Sequence, residues 1–309
     1  MTCLAMIAKE DINKTVRAIR SAQCDDHVVV IAPGDPLSAL SALESPKVCV
    51  LERPWEDYST ARNYALHAAW DHQPFALVLD ADDFLMGDIP PLDPAVDAYE
   101  IKVQYLNTGC YFWRKHILRT DRWEYRGKVH EVATFMGVGK PRVERLHDVV
   151  YFVPGVSDRA GKYKEYIRLL EGDPSPRAAF YRAYAYRDNK QWDKALSEFR
   201  RRGRMTEGWV EERYMAFIHS ARLAFYLGHP INEVKDDYQA ASLLIPHRAE
   251  AFHGMAQVVG WQDIGLSLAC AREAARIRPP SDGLFIEPHA YGDKALVESL
   301  LLGRTPLGR

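Results

Sequence analysis

The spacing of apolar residues changes repeatedly along the N-terminal part of the chain, and each change predicts a switch between strand and helix. Continuous apolar runs, rich in β-branched residues, predict strands at 3–8, 27–32, 48–51 and 75–79. Small and apolar side chains at helical spacing predict helices at 12–21 and 59–70. This alternation predicts a parallel sheet with helices on both faces, whose ligands bind at the carboxyl ends of the strands.

Between Ala98 and Asp148 the pattern alternates instead, and aromatic residues become frequent. Strict alternation is typical of strands that have one covered face. We therefore expect antiparallel strands that extend the sheet at 99–103, 109–113, 129–132 and 145–148.

After Pro154-Gly155 the chain becomes helical, so the predicted domains are 1–154 and 155–309. The pair Ala240-Ala241 recurs as Ala274-Ala275, 34 residues further on, and 34 residues is the tetratricopeptide repeat length. We expect an all-α, tetratricopeptide-like domain that offers a groove or a homodimer surface. A purely structural helical appendage is the alternative.

Composition gives no general indication of a nucleic-acid or membrane partner. The 309 residues carry a formal net charge of −2, so a nucleic-acid or membrane partner would need a local basic patch. Because the chain has no apolar run of 18 residues and no basic leader, we expect no membrane span and a cytoplasmic location. The five cysteines are scattered without a CxxC pair, which indicates neither a zinc site nor a disulfide framework.

An acidic block, Asp80-Ala81-Asp82-Asp83, directly follows the last of the parallel strands. In an extended segment, the side chains of Asp80 and Asp82 point to the same side. Their hard oxygen atoms suit Mg²⁺ or Mn²⁺, which would also hold the phosphates of a substrate. The alternative is an acidic turn after a buried strand, but a position at the carboxyl end of a strand favours a site.

Further motifs occur in order around this block. They are Met6-Ile7-Ala8-Lys9, Val28-Val29-Val30, the segment from Trp55 to Asn63, Leu79 with the acidic block, the segment from Tyr125 to Glu131, and Leu146-His147. The set resembles the nucleotide-sugar domain of inverting family 2 glycosyltransferases with the GT-A fold. A GT-A domain followed by tetratricopeptide-like helices is similar to the bacterial peptide S-glycosyltransferases of the sublancin type.

The resemblance implies a metal-dependent glycosyltransferase with a nucleotide-sugar donor, expected to be a uridine diphosphate sugar. Mn²⁺ or Mg²⁺ would neutralise the charge that builds on the departing diphosphate. The implied metal ligands are Asp82, Asp80 and His147, with a ribose or water contact as the alternative role of Asp80 and a structural role as that of His147. The implied donor-binding residues are Lys9, Asp57, Arg62 and Asp80.

Arg62 lies near the start of the helix at 59–70, where backbone amides and the helix dipole favour an anion. Its planar, permanently charged guanidinium suits a phosphate or a nucleotide. The alternative is an ion pair with Asp57 or Glu56. Asn63 is interpreted as structural.

An inverting transfer needs a general base that takes a proton from the acceptor. The resemblance implies that Glu131 is this base, with His130 as the alternative. On an extended strand the two side chains would point in opposite directions, so we expect only one of them to enter the site.

The chain departs from the family pattern at two places. Ala32 stands where the family carries an acidic residue that helps to hold the nucleoside, and Asp35 is a candidate substitute. The family's lysine-asparagine-glutamate start is altered to Lys9-Glu10-Asp11. These departures point to an unusual donor or to a weakened enzyme.

The acceptor is left open by the sequence. A peptide or protein follows from the sublancin-type resemblance. A nucleic acid, such as a hydroxymethylated base in phage DNA, is suggested by a basic cluster at Arg200-Arg201-Arg202-Gly203-Arg204, with Arg122, Arg126 and Lys128 as further cations. Glycan or lipid-linked acceptors are a third class. A competing hypothesis is a binding scaffold of helical repeats on a degenerate, non-catalytic GT-A domain.

Overall fold

The computed structural model describes residues 2–9, 11–42, 48–155 and 161–293. The chain divides into two compact units, Met1–Val156 and Ser157–Arg309. The first is an α/β unit with a mixed, mostly parallel sheet, and the second is helical. The predicted combination of an α/β domain with a helical domain is confirmed at this level.

The described part of the α/β unit contains more strands than helices. Its elements are β1 (Thr2–Ile7), α1 (Ile12–Ala22), β2 (Asp26–Ile31), β3 (Cys49–Glu52), α2 (Tyr58–Trp70), β4 (Phe75–Val78), β5 (Phe84–Met86), β6 (Ala98–Tyr105), β7 (Tyr111–Arg119), β8 (Trp123–Arg126), β9 (Val132–Phe135) and β10 (Val143–Val153).

Eight strands form one sheet in the order β3-β2-β1-β4-β7-β6-β10-β5. The strands β1 to β4 are mutually parallel, as predicted, and β7 runs antiparallel to both of its neighbours. The expectation that every later strand is antiparallel is wrong, because β10 pairs with β6 in parallel. The carboxyl ends of β4, β6 and β10 consequently meet at one edge of the sheet.

Apolar side chains cover both faces of this sheet. One core contains Ala18 and Ile19 of α1 packed with strand residues such as Leu77, and the other contains Ala65 and Leu66 of α2. Side chains at the helix starts satisfy the first backbone amides, since Asp11 accepts from the Lys14 amide and Asp57 from the Thr60 amide. These caps fix the first residues of α1 and α2, which follow the ends of β1 and β3 after short connections, so both helices begin near the carboxyl edge of the sheet.

The prediction of a strand at 129–132 is wrong. Strands β8 and β9 form a separate two-stranded sheet, and β9 begins only at Val132. The chain before it turns, with Gly127 at φ 102° and His130 at φ 53°. Such left-handed backbone conformations interrupt a strand ladder, so the pattern of alternation in 129–132 misleads.

Seven helices make up the described part of the helical unit: α3 (Lys162–Leu170), α4 (Pro176–Asp188), α5 (Trp192–Arg204), α6 (Val210–Tyr226), α7 (Ile231–Leu244), α8 (Glu250–Val259) and α9 (Ile264–Arg276). The repeated alanine pairs, Ala240-Ala241 and Ala274-Ala275, lie on α7 and α9, but the buried member of the pair differs between the two helices. The buried alanines are Ala241 and Ala274, whereas the repeat aligns Ala241 with Ala275. Within the described residues, no helix is long and apolar enough to cross a membrane.

Candidate functional site

The acidic block forms a turn at the carboxyl end of β4. The strand ends at Val78, and the Asp83 amide donates to the Asp80 carbonyl oxygen at 3.1 Å. The segment is therefore a turn and not an extended strand. The prediction that strand geometry points the side chains of Asp80 and Asp82 to the same side is wrong. The turn is also held from α1, because Arg17 Nη2 donates to the Asp82 carbonyl oxygen at 2.6 Å.

Tyr151 of β10 anchors the same turn from below. Its hydroxyl accepts from the Asp80 amide at 3.0 Å and is hydrogen-bonded to the Asp83 carboxyl group. Burial and the neighbouring Asp80 carboxylate raise the pKa of Asp83 to about 8. In this state Asp83 is a neutral donor and acceptor inside the turn, while Asp80 is the charged member.

Arg62 connects the turn to the segment that precedes β9. Its guanidinium is buried and donates from Nη2 to Asp80 Oδ1 and from Nε to Glu131 Oε1. The ion pair with Asp57 or Glu56 that we considered is replaced by this double bridge. Within the described residues, the Nη1 group of Arg62 donates no hydrogen bond. A contact between Arg62 and a phosphate stays a prediction.

Both carboxylates of the bridge are ionised. Burial opposes the charge on Asp80, but Arg62 and Arg114 override it and lower the pKa to about 2. Burial likewise opposes the charge on Glu131, and the same two arginines hold its pKa below the ordinary value. Glu131 thus carries the charge that a general base requires, although Arg62 occupies it in this state.

Two residues of β7, Arg114 and His116, were missed by sequence reasoning. The register between β6 and β7 shifts so that His116 lies opposite no residue of β6. His116 Nδ1 is 2.8 Å from the Val78 carbonyl oxygen, and its ring stacks on Tyr151 with centroids 4.0 Å apart. Burial, reinforced by Arg114, lowers the pKa of His116 to about 3, so the ring is neutral. A run of arginine, lysine and histidine inside an otherwise apolar strand was the available signal.

Of the other predicted residues, Asp57 has the clearest placement. It caps α2, accepting from the Thr60 amide at 2.8 Å and from Ser59 Oγ at 2.9 Å. Lys9 is exposed, two residues beyond β1. Asp35 accepts from the Leu37 amide and is buried in a turn after β2.

The two predicted histidines are both exposed. His130 adopts a left-handed backbone conformation, whereas its neighbour Glu131 is buried. Of His130 and Glu131, only Glu131 therefore enters the cluster. This agrees with the expectation that one of them does so, but the cause is the turn and not strand alternation. His147 lies where the pairing of β10 with β6 is interrupted, and its ring packs edge-on against Trp113 at 5.1 Å.

The predicted metal ligands are only partly brought together. Among the described residues, no group of three or more histidine, cysteine, aspartate or glutamate side chains is arranged to hold a metal ion. His147 thus does not complete a set with Asp80 and Asp82. The two aspartates remain adjacent on one turn, and their metal-binding role stays a prediction.

Asn63 fixes the hairpin that leads to Glu131. Its side-chain amide donates to the Tyr125 carbonyl oxygen at 2.9 Å and accepts from the Tyr125 amide at 2.7 Å. A side chain that mimics a strand partner in this way holds β8 against α2. The structural interpretation of Asn63 agrees with this geometry.

The basic cluster at Arg200–Arg204 is largely neutralised within the helical unit. Arg200 pairs with Glu233 and Asp237, Arg201 pairs with Glu198, and Arg202 is buried against Glu212. In the α/β unit, Arg122 pairs with Asp97 and Arg126 with Glu124, while Lys128 is exposed. Guanidinium groups held by carboxylates present less charge to a nucleic acid than the sequence suggested.

Comparison with known proteins gives little further guidance. No protein-family model and no curated protein matches the chain. Among solved structures, the crystal structure of Rv0371c from Mycobacterium tuberculosis H37Rv is similar at 14% identity, covering 55% of this chain and 97% of that chain, with a TM-score of 0.28. At that score the likeness supports neither a shared fold nor a shared function.

Proposed function

We propose that the protein is a metal-dependent inverting glycosyltransferase that uses a nucleotide-sugar donor. The observation that carries the proposal is the convergence of Asp80, Arg62 and Glu131 at the carboxyl end of β4. Ligands of open α/β sheets bind at this edge. The motif resemblance supports a GT-A assignment of the α/β unit, and a uridine diphosphate sugar is the expected donor.

The acidic turn suits a divalent cation. Asp80 and Asp82 offer carboxylate oxygens, the side chain of Asp80 is 35% exposed, and Mg²⁺ is commonly bound by one or two carboxylates together with substrate phosphates. Mn²⁺ or Mg²⁺ held there would supply Lewis-acid stabilisation of the leaving diphosphate. Arg17 and Tyr151 hold the turn so that both aspartates stay in place.

Glu131 is the proposed base and Arg62 its restraint. One guanidinium neutralises both Asp80 and Glu131. With Asp80 and Asp82 holding the cation, Arg62 would turn its guanidinium from Asp80 towards the donor phosphates. Glu131 would then be able to accept the acceptor proton, which its ionised state already permits.

For the acceptor, the proposal favours a peptide or protein bound by the helical unit, which we propose to be tetratricopeptide-like. The pairing of Arg200, Arg201 and Arg202 with carboxylates weakens the main reason for the DNA alternative. A homodimer through the helical unit remains part of the proposal, since helical arrays commonly present such surfaces.

A donor screen tests the proposal. Thermal shift and nucleoside-diphosphate release are measured with UDP-, GDP-, ADP-, CDP- and dTDP-sugars in the presence of Mn²⁺. One donor is expected to stabilise the protein and to release its diphosphate, and both signals should disappear in Asp82→Ala. Asp88→Ala, an exposed aspartate further along the same segment, is the matched control and should behave like the native protein.

The non-catalytic scaffold is the second candidate, favoured by the double bridge itself. Arg62 occupies both Asp80 and Glu131, which is also how a degenerate site would be stabilised. Under this alternative no donor binds with or without Mn²⁺, and Asp82→Ala changes nothing. That outcome of the screen would replace the enzyme proposal.

A further inference from the structure

We propose that Arg114 binds the diphosphate of the nucleotide donor, an inference that rests on the proposed function. Arg114 lies on β7, the strand next to β4, opposite Ile101 of β6. Its guanidinium interacts electrostatically with Asp80, Glu131 and Arg62. It therefore belongs to the cluster at the carboxyl end of β4, although no motif in the sequence marked it.

Arg114 differs from Arg119, Arg122 and Arg145 in that its guanidinium makes no direct bond to a carboxylate among the described residues. Arg119 donates to Asp121, Arg122 to Asp97 and Arg145 to Glu100. The Arg114 guanidinium, which is only partly exposed, makes neither a hydrogen bond nor an ion pair with any residue in the described ranges. Burial opposes the charge of this guanidinium, but Tyr125, Glu131 and Asp80 nearby raise its pKa above the ordinary value without making a hydrogen bond to it. Its N–H groups are therefore available to an oxyanion ligand.

The two nearby carboxylates do not fill this role, because Arg62 bridges them both. Two arginines therefore face two carboxylates, but all the direct contacts go to Arg62. The five N–H groups of Arg114 remain able to bind oxygen atoms in the planar, two-pronged geometry that suits phosphates.

The position of Arg114 selects a diphosphate over other anions. A donor whose phosphates meet a cation at Asp80 and Asp82 would bring the phosphate oxygens beside the residue that Arg114 already influences, Asp80. When the bond between the sugar carbon and the β-phosphate oxygen breaks, that oxygen keeps the bonding electron pair. The sugar carbon bonds to the acceptor atom, whose proton passes to Glu131. Arg114 would then stabilise the added negative charge without moving a proton.

Calorimetry with UDP, GDP, ADP, CDP and dTDP plus Mn²⁺, and with the matching nucleosides, tests the assignment. Arg114→Gln is expected to weaken the diphosphate that binds the native protein by about tenfold or more and to leave its nucleoside unchanged. Arg114→Lys, which keeps the charge but loses the fork, should show a smaller loss. Arg126→Gln, which removes an exposed arginine of β8, is the control and should bind like the native protein.

Each outcome is decisive. Unchanged diphosphate affinity in both Arg114 variants would overturn the role of Arg114 and leave the proposed function intact. Loss of nucleoside and diphosphate binding in equal measure would show a general structural role and would also overturn it. If no diphosphate binds the native protein, the proposed function fails together with the inference.

Discussion

Two buried arginines, one in each unit, are held by pairs of carboxylates in different ways. Arg248 donates from all three nitrogens, to Glu211, to both oxygens of Glu250, and to the carbonyl oxygens of Leu284 and Phe285. Arg62 uses only Nε and Nη2. The neighbour of Arg62, Arg114, has no direct partner among the described residues.

The carboxylates differ in the same direction. Glu250 is fully buried and also accepts from the hydroxyls of Tyr214 and Tyr291. Asp80 is 35% exposed. A fully satisfied, inaccessible cluster stabilises a fold, whereas charged groups that are accessible and incompletely paired are typical of ligand sites. The contrast therefore supports our proposal that the Arg62 cluster is the ligand site, and it indicates a structural role for the Arg248 cluster.

Removing Arg248 should give the largest loss of stability. Arg248→Met leaves Glu211 and Glu250 buried without a counter-charge, which is expected to destabilise the helical unit by about 3–5 kcal/mol. Hydrogen exchange in α6 and α8 measures the effect. Arg276→Met, on the exposed face of α9, is the control and should change stability by less than about 0.5 kcal/mol.

Removing Arg62 should affect activity more than stability. Arg62→Met leaves Arg114 beside Asp80 and Glu131, so we expect destabilisation of only about 1–3 kcal/mol. Turnover of the donor identified by the screen should fall by about 100-fold or more, because a charge that acts on the departing phosphate is lost. An Arg62→Met protein as unstable as Arg248→Met but fully active would reverse the comparison.

The buried, neutral His116 predicts a loss of stability in acid. Its folded pKa of about 3 lies below the unfolded value of about 6.5, so the unfolded chain takes up the proton first as the pH falls. The stabilisation is fully present above about pH 6.5 and is lost progressively below it. His116→Gln should flatten the drop in urea midpoint between pH 7 and 5.5. His67→Gln, on the exposed side of α2, should retain the native drop, and identical curves for both variants would refute this cause.

The smallest expected effect distinguishes two roles of Asp57. Asp57→Ala removes the cap of α2 and should cost about 1 kcal/mol of stability. Asp57→Asn keeps a good cap without the charge, so stability and donor affinity should both stay near native if capping is the whole role. A large loss of donor affinity in Asp57→Asn alone would restore the predicted donor contact.

Local patterns predicted the first half of the α/β unit well, because strand and helix periods are set by neighbouring residues. The strands β1 to β4 and the helices α1 and α2 follow the predicted elements closely. The acidic block at the end of β4 was also recognisable. Its geometry was not, since the Asp80–Asp83 turn depends on a hydrogen bond that local alternation does not reveal.

Long-range partners could not be predicted in this way. The bond from Arg62 to Glu131 joins α2 to a turn formed by left-handed residues, and the Tyr151 hydroxyl reaches Asp80 from the far strand β10. The register shift that leaves His116 without a partner on β6 also could not be predicted, because the sequence pattern of β7 is that of an ordinary strand. Tertiary pairing, rather than sequence period, selects these contacts.

Hydrogen exchange with and without the bound nucleoside diphosphate and Mn²⁺ tests the comparison most directly. We expect added protection around the start of α2, the Asp80–Asp83 turn, the part of β7 around Arg114 and the segment before β9. We expect no change around Arg248. Protection confined to the helical unit, or no protection at any of the four segments at saturating ligand, would contradict the assignment of the Arg62 cluster as the donor site.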